Sequence, residues 1–301
     1  MPYRHRWRWL ATACLLVTLV CPPIASAAPM RLVHRGPESD TDARRQYDWV
    51  LLRIVLDKTR ERAGPFELVE SPVPMNSARA LTEMIDPKGK INIFTRGTSI
   101  TLEQQLRPIR IPIERGIRGY RLFLIRDKDQ PRFSGISDRA GLGRFVYGLG
   151  KTWVDVDVME NAGLHVEQSS AYASLFPMLV AGRFDAFPRG LDEIYSEYEL
   201  YRNTLPTLAV EQDVALYYPL PRYFFVRRDA EGEQLARRIE AGLELMVRDG
   251  SLKALFWRFH GDFIRRAKLD RRHLVRLSNP KLPPGTPLNR SELWFDPATE
   301  H

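Results

Sequence analysis

The feature that most constrains this chain is a repeated alternation of short apolar runs with amphipathic stretches of helical period. Residues 30–35, 66–70 and 90–95 read as strands, and 42–62 reads as a long helix with Trp49, Leu52, Val55 and Leu56 on one side. Asp40 or Thr41 suits its start, Gly64-Pro65 its stop, and Asn76 the cap of a helix over 77–85. A short helix over 101–106 and the stretch 109–113 precede Gly116, Gly119 and the apolar run 120–125. The theme then repeats, with strands over 145–148, 165–168, 184–188, 214–218 and 223–227, and helices over 154–162, 171–181, 191–201, 231–249 and 251–264. After Ser278 the chain is rich in proline and turn residues, which predicts an extended strap over the body. The alternation predicts an α/β protein with mostly parallel sheets covered on both faces. Sheets of that kind bind ligands at the carboxyl ends of their strands, so the residues just after each strand are the candidates.

The N-terminus carries Arg4, Arg6 and Arg8, an apolar run over 9–20, and Ala25-Ser26-Ala27. This is the pattern of a cleaved secretory signal; the apolar run is shorter than the ~20 residues of a membrane span. Cleavage is expected after Ala27, with the mature protein in the periplasm. Cys14 and Cys21 both leave with the signal, so the mature chain has no disulfide, thiolate metal site or cysteine nucleophile. The formal charge of +8 falls to +5, because three arginines and no acids are removed. Zinc-ligand spacing, nucleophile-elbow and nucleic-acid-binding motifs are all missing from the sequence. No cofactor, metal or nucleic-acid partner is therefore expected.

Several residues stand at predicted strand ends. His34 and Arg35 close the first strand, Arg96 and Thr98 follow the third, and Arg115 lies near a crossover. Arg96 has the fork geometry to grip a carboxylate or phosphate. Gly148-Leu149-Gly150-Lys151-Thr152-Trp153 combines glycines that let a ligand approach with the amides of a following helix, and Lys151, Thr152 and Trp153 add a cation, a hydroxyl and a stacking wall. Arg189 follows the strand over 184–188. Asp155, Asp157, Asp192 and Glu193 fit helix first turns, where carboxylates suit free amides and the dipole.

The order of these loops carries a family likeness. Gly97-Thr98-Ser99-Ile100-Thr101, Ile111-Pro112-Ile113 through Gly116, the run 120–125, the stretch 145–153 and Leu179-Val180-Ala181-Gly182-Arg183-Phe184-Asp185-Ala186 together resemble the family-3-like solute-binding proteins of amino-acid-type transporters. The likeness spans roughly residues 31–264. It implies a two-lobed periplasmic-binding-protein-like II fold with a central cleft and two crossover strands. Lobe one would comprise 28–125 and 220–278, lobe two 126–219, and the tail 279–301, after a signal over 1–27. Two family positions differ. The arginine that grips a ligand carboxylate is missing from Thr101-Leu102-Glu103-Gln104-Gln105, and the aspartate beyond the "G-R-x-D-A" strand is replaced by Pro188-Arg189-Gly190. The resemblance thus implies a monomeric, non-enzymatic binder of a small polar or anionic solute, working with a membrane transporter or sensor. The expected ligand contacts are His34, Arg35, Arg96, Thr98, Arg115, Lys151, Thr152, Trp153 and Arg189. A dehydratase-like enzyme on the same fold, using Glu193, Asp155 or His34, and a scaffold that binds no solute are the alternatives.

Overall fold

The computed structural model describes residues 29–36 and 46–300. The signal segment and the Asp40 or Thr41 cap lie outside them. Strand β1 (Met30–His34) leads to helices α1 (Gln46–Lys58) and α2 (Arg60–Ala63), then β2 (Phe66–Glu70), α3 (Ser77–Ile85), β3 (Ile93–Gly97), α4 (Ile100–Gln105) and β4 (Arg107–Ile109). The Asn76 side chain accepts from the Arg79 amide, as the capping pattern predicts. Next come β5 (Tyr120–Arg126), α5 (Gln130–Phe133), α6 (Arg139–Leu142), β6 (Val146–Gly150), α7 (Val154–Asn161), β7 (His165–Ser169), α8 (Leu175–Val180), β8 (Ala186–Gly190) and α9 (Ile194–Tyr201). The chain ends with β9 (Leu208–Val210), β10 (Val214–Tyr217), β11 (Arg222–Val226), α10 (Ala230–Arg248), α11 (Ser251–Ala267) and β12 (His273–Arg276).

Two lobes result. One is built on β1–β2 and on the sheet β3-β11-β4; the other holds a seven-stranded sheet ordered β12-β10-β5-β8-β6-β7, with β9 also on β5. Each lobe has its own apolar core. Leu51, Leu52, Val55, Ile93, Phe224 and Ile239 fill the first, and Leu122, Leu124, Phe176, Phe184 and Phe187 the second. The parallel prediction holds for β1–β2, β6–β7, β6–β8 and β10–β12. It fails at β5 and β11, which run antiparallel to their neighbours. Both are entered directly from the other lobe, so their direction is set at the crossing and not by a βαβ connection.

The chain passes between lobes at 110–119 and at 218–221, and the two segments lie side by side. The Ile113 amide donates to the Arg222 carbonyl at 3.0 Å, and the Tyr218 amide to the Gly119 carbonyl at 3.2 Å. A third passage is α11: Leu252 and Leu255 pack in the first core, while Phe256, Ile264 and Ala267 pack in the second. Strand β12, in the stretch expected to belong with lobe one, pairs with β10 on the larger sheet. The chain after it returns across the crossings. The Trp294 ring lies against Gly116, where an added Cβ would come within 2.4 Å of it, and the Phe295 amide donates to the Arg115 carbonyl at 2.7 Å.

Candidate functional site

The floor of the cleft is a chain of alternating charges built on the crossings. Arg222 opens β11 and is buried. Its guanidinium donates to the Asp48 carboxylate, to Thr95 Oγ1 at 2.7 Å and to Glu114 Oε1 at 2.7 Å. Thr95 in turn donates to Asp48 Oδ2 at 2.7 Å. Glu114 Oε2 accepts from Arg118 Nε at 2.5 Å. Burial pushes the Glu114 carboxyl upward, but Arg118 and Arg222 outweigh it and hold the group far below the usual carboxylate range. Arg118 is the most exposed member, with 38% of its side chain accessible. Asp192, just past β8 on the other lobe, is exposed yet crowded by protein, which raises its carboxyl; Arg118 pulls in the opposite sense. His260 on α11 sits behind this floor, ring to ring with Tyr47 at 4.7 Å. Burial lowers it to about 4 against the pull of Glu114.

A second cluster fastens α7 to the crossing. Arg121 Nε donates to Asp155 Oδ1 at 2.7 Å, and the Tyr218 hydroxyl donates to the same oxygen. Burial raises Asp155, but Arg121 and the Tyr218 bond outweigh it and the carboxyl is held low.

The residues expected to bind ligand separate into three groups. Arg96, Lys151 and Thr152 are exposed, and among the described residues no side chain pairs with theirs. Arg96 stands at the end of the first lobe's β3; Lys151 and Thr152 follow β6 on the second. Among the described residues no hydrogen bond joins the loop 97–99 to the loops 150–153 or 190–193. Thr98 is half-buried and donates to Glu103 Oε1 at 2.6 Å. His34 is buried, stacked on Trp49 at 4.0 Å, and donates from Nδ1 to the Arg35 carbonyl at 2.9 Å. Arg35 is buried and donates to the Met75 carbonyl.

Arg115, Trp153 and Arg189 serve the protein itself. The Arg115 guanidinium donates to both Glu300 oxygens, at 2.6 and 2.7 Å, and to the Trp294 carbonyl at 2.9 Å, so it holds the tail. Arg189 is buried. Its Nε and Nη2 each donate to Glu197 at 2.6 Å, and Glu193 lies 3.0 Å from Nη2. Its guanidinium sits over the rings of Trp153 (4.7 Å), Phe187 (5.0 Å) and Tyr172 (5.5 Å). The charge and the ring-facing surface of Arg189 are therefore taken.

Arg118, Arg222, Asp48 and Glu114 were not singled out in the sequence, and Asp192 was read only as a helix-start carboxylate. The available signal was Glu114-x-x-x-Arg118 at i,i+4 spacing inside a crossing segment. The described residues hold no cluster of three or more His, Cys, Asp or Glu that could bind a metal.

No protein-family model and no curated protein matches the chain. Among solved structures it is similar to an ancestral arginine-binding protein bound to arginine, at 16% identity over 76% of this chain and 97% of that one, TM-score 0.46. It is also similar to a protein from Bacillus subtilis (16% identity, 82% and 96% covered, TM-score 0.49) and to a histidine kinase sensor domain with similarity to periplasmic binding proteins (14% identity, 75% and 94% covered, TM-score 0.44). Two α/β lobes around a cleft, joined by paired crossings, are the arrangement the sequence resemblance implied.

Proposed function

We propose that this chain is a binding module for a small polar solute carrying an anionic group, held in the cleft and enclosed by hinge motion at the crossings. The observation that carries this reading is Arg118. It comes from the hinge, its Nε and Nη2 are both held by Glu114, and 38% of its side chain is exposed. A guanidinium held this way is ready to bind an anion with little further ordering. Asp192 faces the same space from the other lobe and suits a donor on the solute. Arg96 and Lys151 are cations at the two rims that closure would bring toward it. Delivery to a transporter and signalling through a sensor both use such closure, and the periplasm is the compartment the N-terminal pattern supports.

The experiment is native mass spectrometry of protein purified from its own host, followed by calorimetry with the ligand found. Arg118→Ala should weaken binding at least about tenfold, since a charge-assisted hydrogen bond contributes roughly 1.5–3 kcal/mol. Unchanged affinity would remove Arg118 from the site, and a tightly bound cation would overturn the reading.

The enzyme alternative finds its named groups engaged. Asp155 is bonded by Arg121 and Tyr218, His34 is stacked under Trp49, and Glu193 accepts from the Gly190 amide at 3.0 Å. The scaffold alternative draws support from Arg115 and Arg189, whose charges are neutralised within the protein. If no ligand is retained and no solute changes the molecule's shape in small-angle scattering, the scaffold reading replaces the first.

A further inference from the structure

The outer face of the first lobe carries a groove of about 590 Å³ between the end of α1–α2 and α10. It lies away from the cleft. Strand β1 starts at Met30, in the groove, and ends at His34 beside the cleft floor, about 13 Å further on at the rise of a strand. Met30, Ala241 and Leu245 give the groove an apolar floor.

Its rim is cationic. Arg237 and Arg248 are eleven residues apart on α10, about three turns, and so share one face. Arg62 comes from α2 opposite. All three are exposed, and among the described residues none has a carboxylate partner. Arg238, between them, is buried and also lacks a carboxylate. It donates to Thr59 Oγ1 at 3.1 Å and to the carbonyls of Gly64 (2.8 Å), Ala63 and Leu56 (both 3.3 Å), closing the end of α1–α2. Burial and the neighbouring Arg60 push its guanidinium below the ordinary value. The one acid lining the groove, Glu244, has both oxygens taken by Arg290 from the tail, at 2.5 and 3.0 Å. Four guanidinium groups therefore share one concavity without an acid to neutralise them.

We propose that this groove is a second binding site, for a phosphate group. A carboxylate offers two oxygens and is satisfied by one guanidinium fork. A phosphate monoester offers three terminal oxygens and close to two charges, which suits a groove with Arg62 on one wall and Arg237 and Arg248 on the other. The apolar floor suits the carbon skeleton that the phosphate is attached to. The group comes either from a soluble phosphate compound or from a phospholipid whose head is a phosphate monoester, and the test separates these.

The full chain is titrated with inorganic phosphate, followed by ³¹P NMR, and is floated with vesicles of equal parts phosphatidic acid and phosphatidylcholine. The same measurements are made on Arg237→Ala/Arg248→Ala and on a charge-matched control, Arg183→Ala/Arg258→Ala, both of whose sites are exposed and outside the groove. Phosphate binding at millimolar concentration that falls at least tenfold in the groove variant and persists in the control supports a soluble ligand. Flotation lost only in the groove variant, without free-phosphate binding, supports a lipid head. The proposal is overturned by equal losses in both variants, by no binding in either assay, or by polyglutamate binding tighter than phosphate. The cleft ligand's affinity should be the same in all three proteins, so this site and the cleft reading fail independently.

Discussion

Arg189, near the end of β8, and Arg118, in the first crossing, both stand at the cleft, yet only one keeps an exposed face. Arg189 is bonded twice by Glu197 and flanked by three rings, because α9 folds back over the end of β8. That it ends a strand was legible in the sequence. That a glutamate eight residues on would neutralise it was not, since the pairing exists only once α9 has packed. Removing one partner of such a buried pair leaves the other charged and unpaired, so Arg189→Ala should lower stability by about 3 kcal/mol in urea unfolding. Arg189→Lys should recover little, because an ammonium cannot reproduce the fork or the stacking. His260 sets a pH dependence. Its folded value of about 4 lies below the ordinary 6.5, so between these the unfolded chain binds the extra proton. Stability is fully present above 6.5 and declines as pH falls toward 4. Glu114 and Asp155 are depressed, so their contribution is kept above the ordinary carboxylate value and lost below it. Urea midpoints should thus fall from pH 7 to pH 4.5, and His260→Gln should flatten that part of the curve, leaving the smaller slope from His34, which is also lowered by burial.

At the scale of elements, strand β6 inverts the role expected for its glycines. The sequence suggested that Gly148 and Gly150 let a ligand approach. In the structure an added Cβ at Gly148 would meet the Phe184 ring at 2.1 Å, and at Gly150 the Trp153 indole at 2.6 Å. The glycines admit the protein's own rings. Gly148→Ala should cost roughly 1–3 kcal/mol by displacing Phe184, measurable as a lower thermal midpoint, while the cleft ligand's affinity in the folded fraction stays unchanged. Elements with strong local signals, such as β2 and the capped α3, could be read from the sequence to the residue. Strands β9 and β12 could not. Each is a few residues long and owes its extended state to a partner far away in sequence, β5 for one and β10 for the other. The edge of β5 is shared between β9 and β10, and the break between them is held by Glu211. Its buried carboxylate accepts from the amides of Asp213 and Val214 at 2.7 and 2.8 Å.

For the molecule as a whole, the strap predicted from the prolines has become a fastening. It ties the crossing through Arg115, α10 through Arg290 and α7 through the Lys281–Asp157 pair at 3.2 Å. A chain lacking 279–301 would leave the Arg115 guanidinium without its acceptors and Gly116 without Trp294. We expect a thermal midpoint lower by several degrees, detectable by scanning calorimetry. Strand β12 has a further consequence, in time and not in space. A ribosome delivers residues 273–276 some sixty residues after β10, the strand they cover. Until then one flank of the larger sheet stays bare, a template for a strand of any neighbouring chain. The lobe that looks like an insertion within the first is therefore finished by a strand that follows α11. Translation that stops short of β12 should yield aggregates rather than a smaller folded protein.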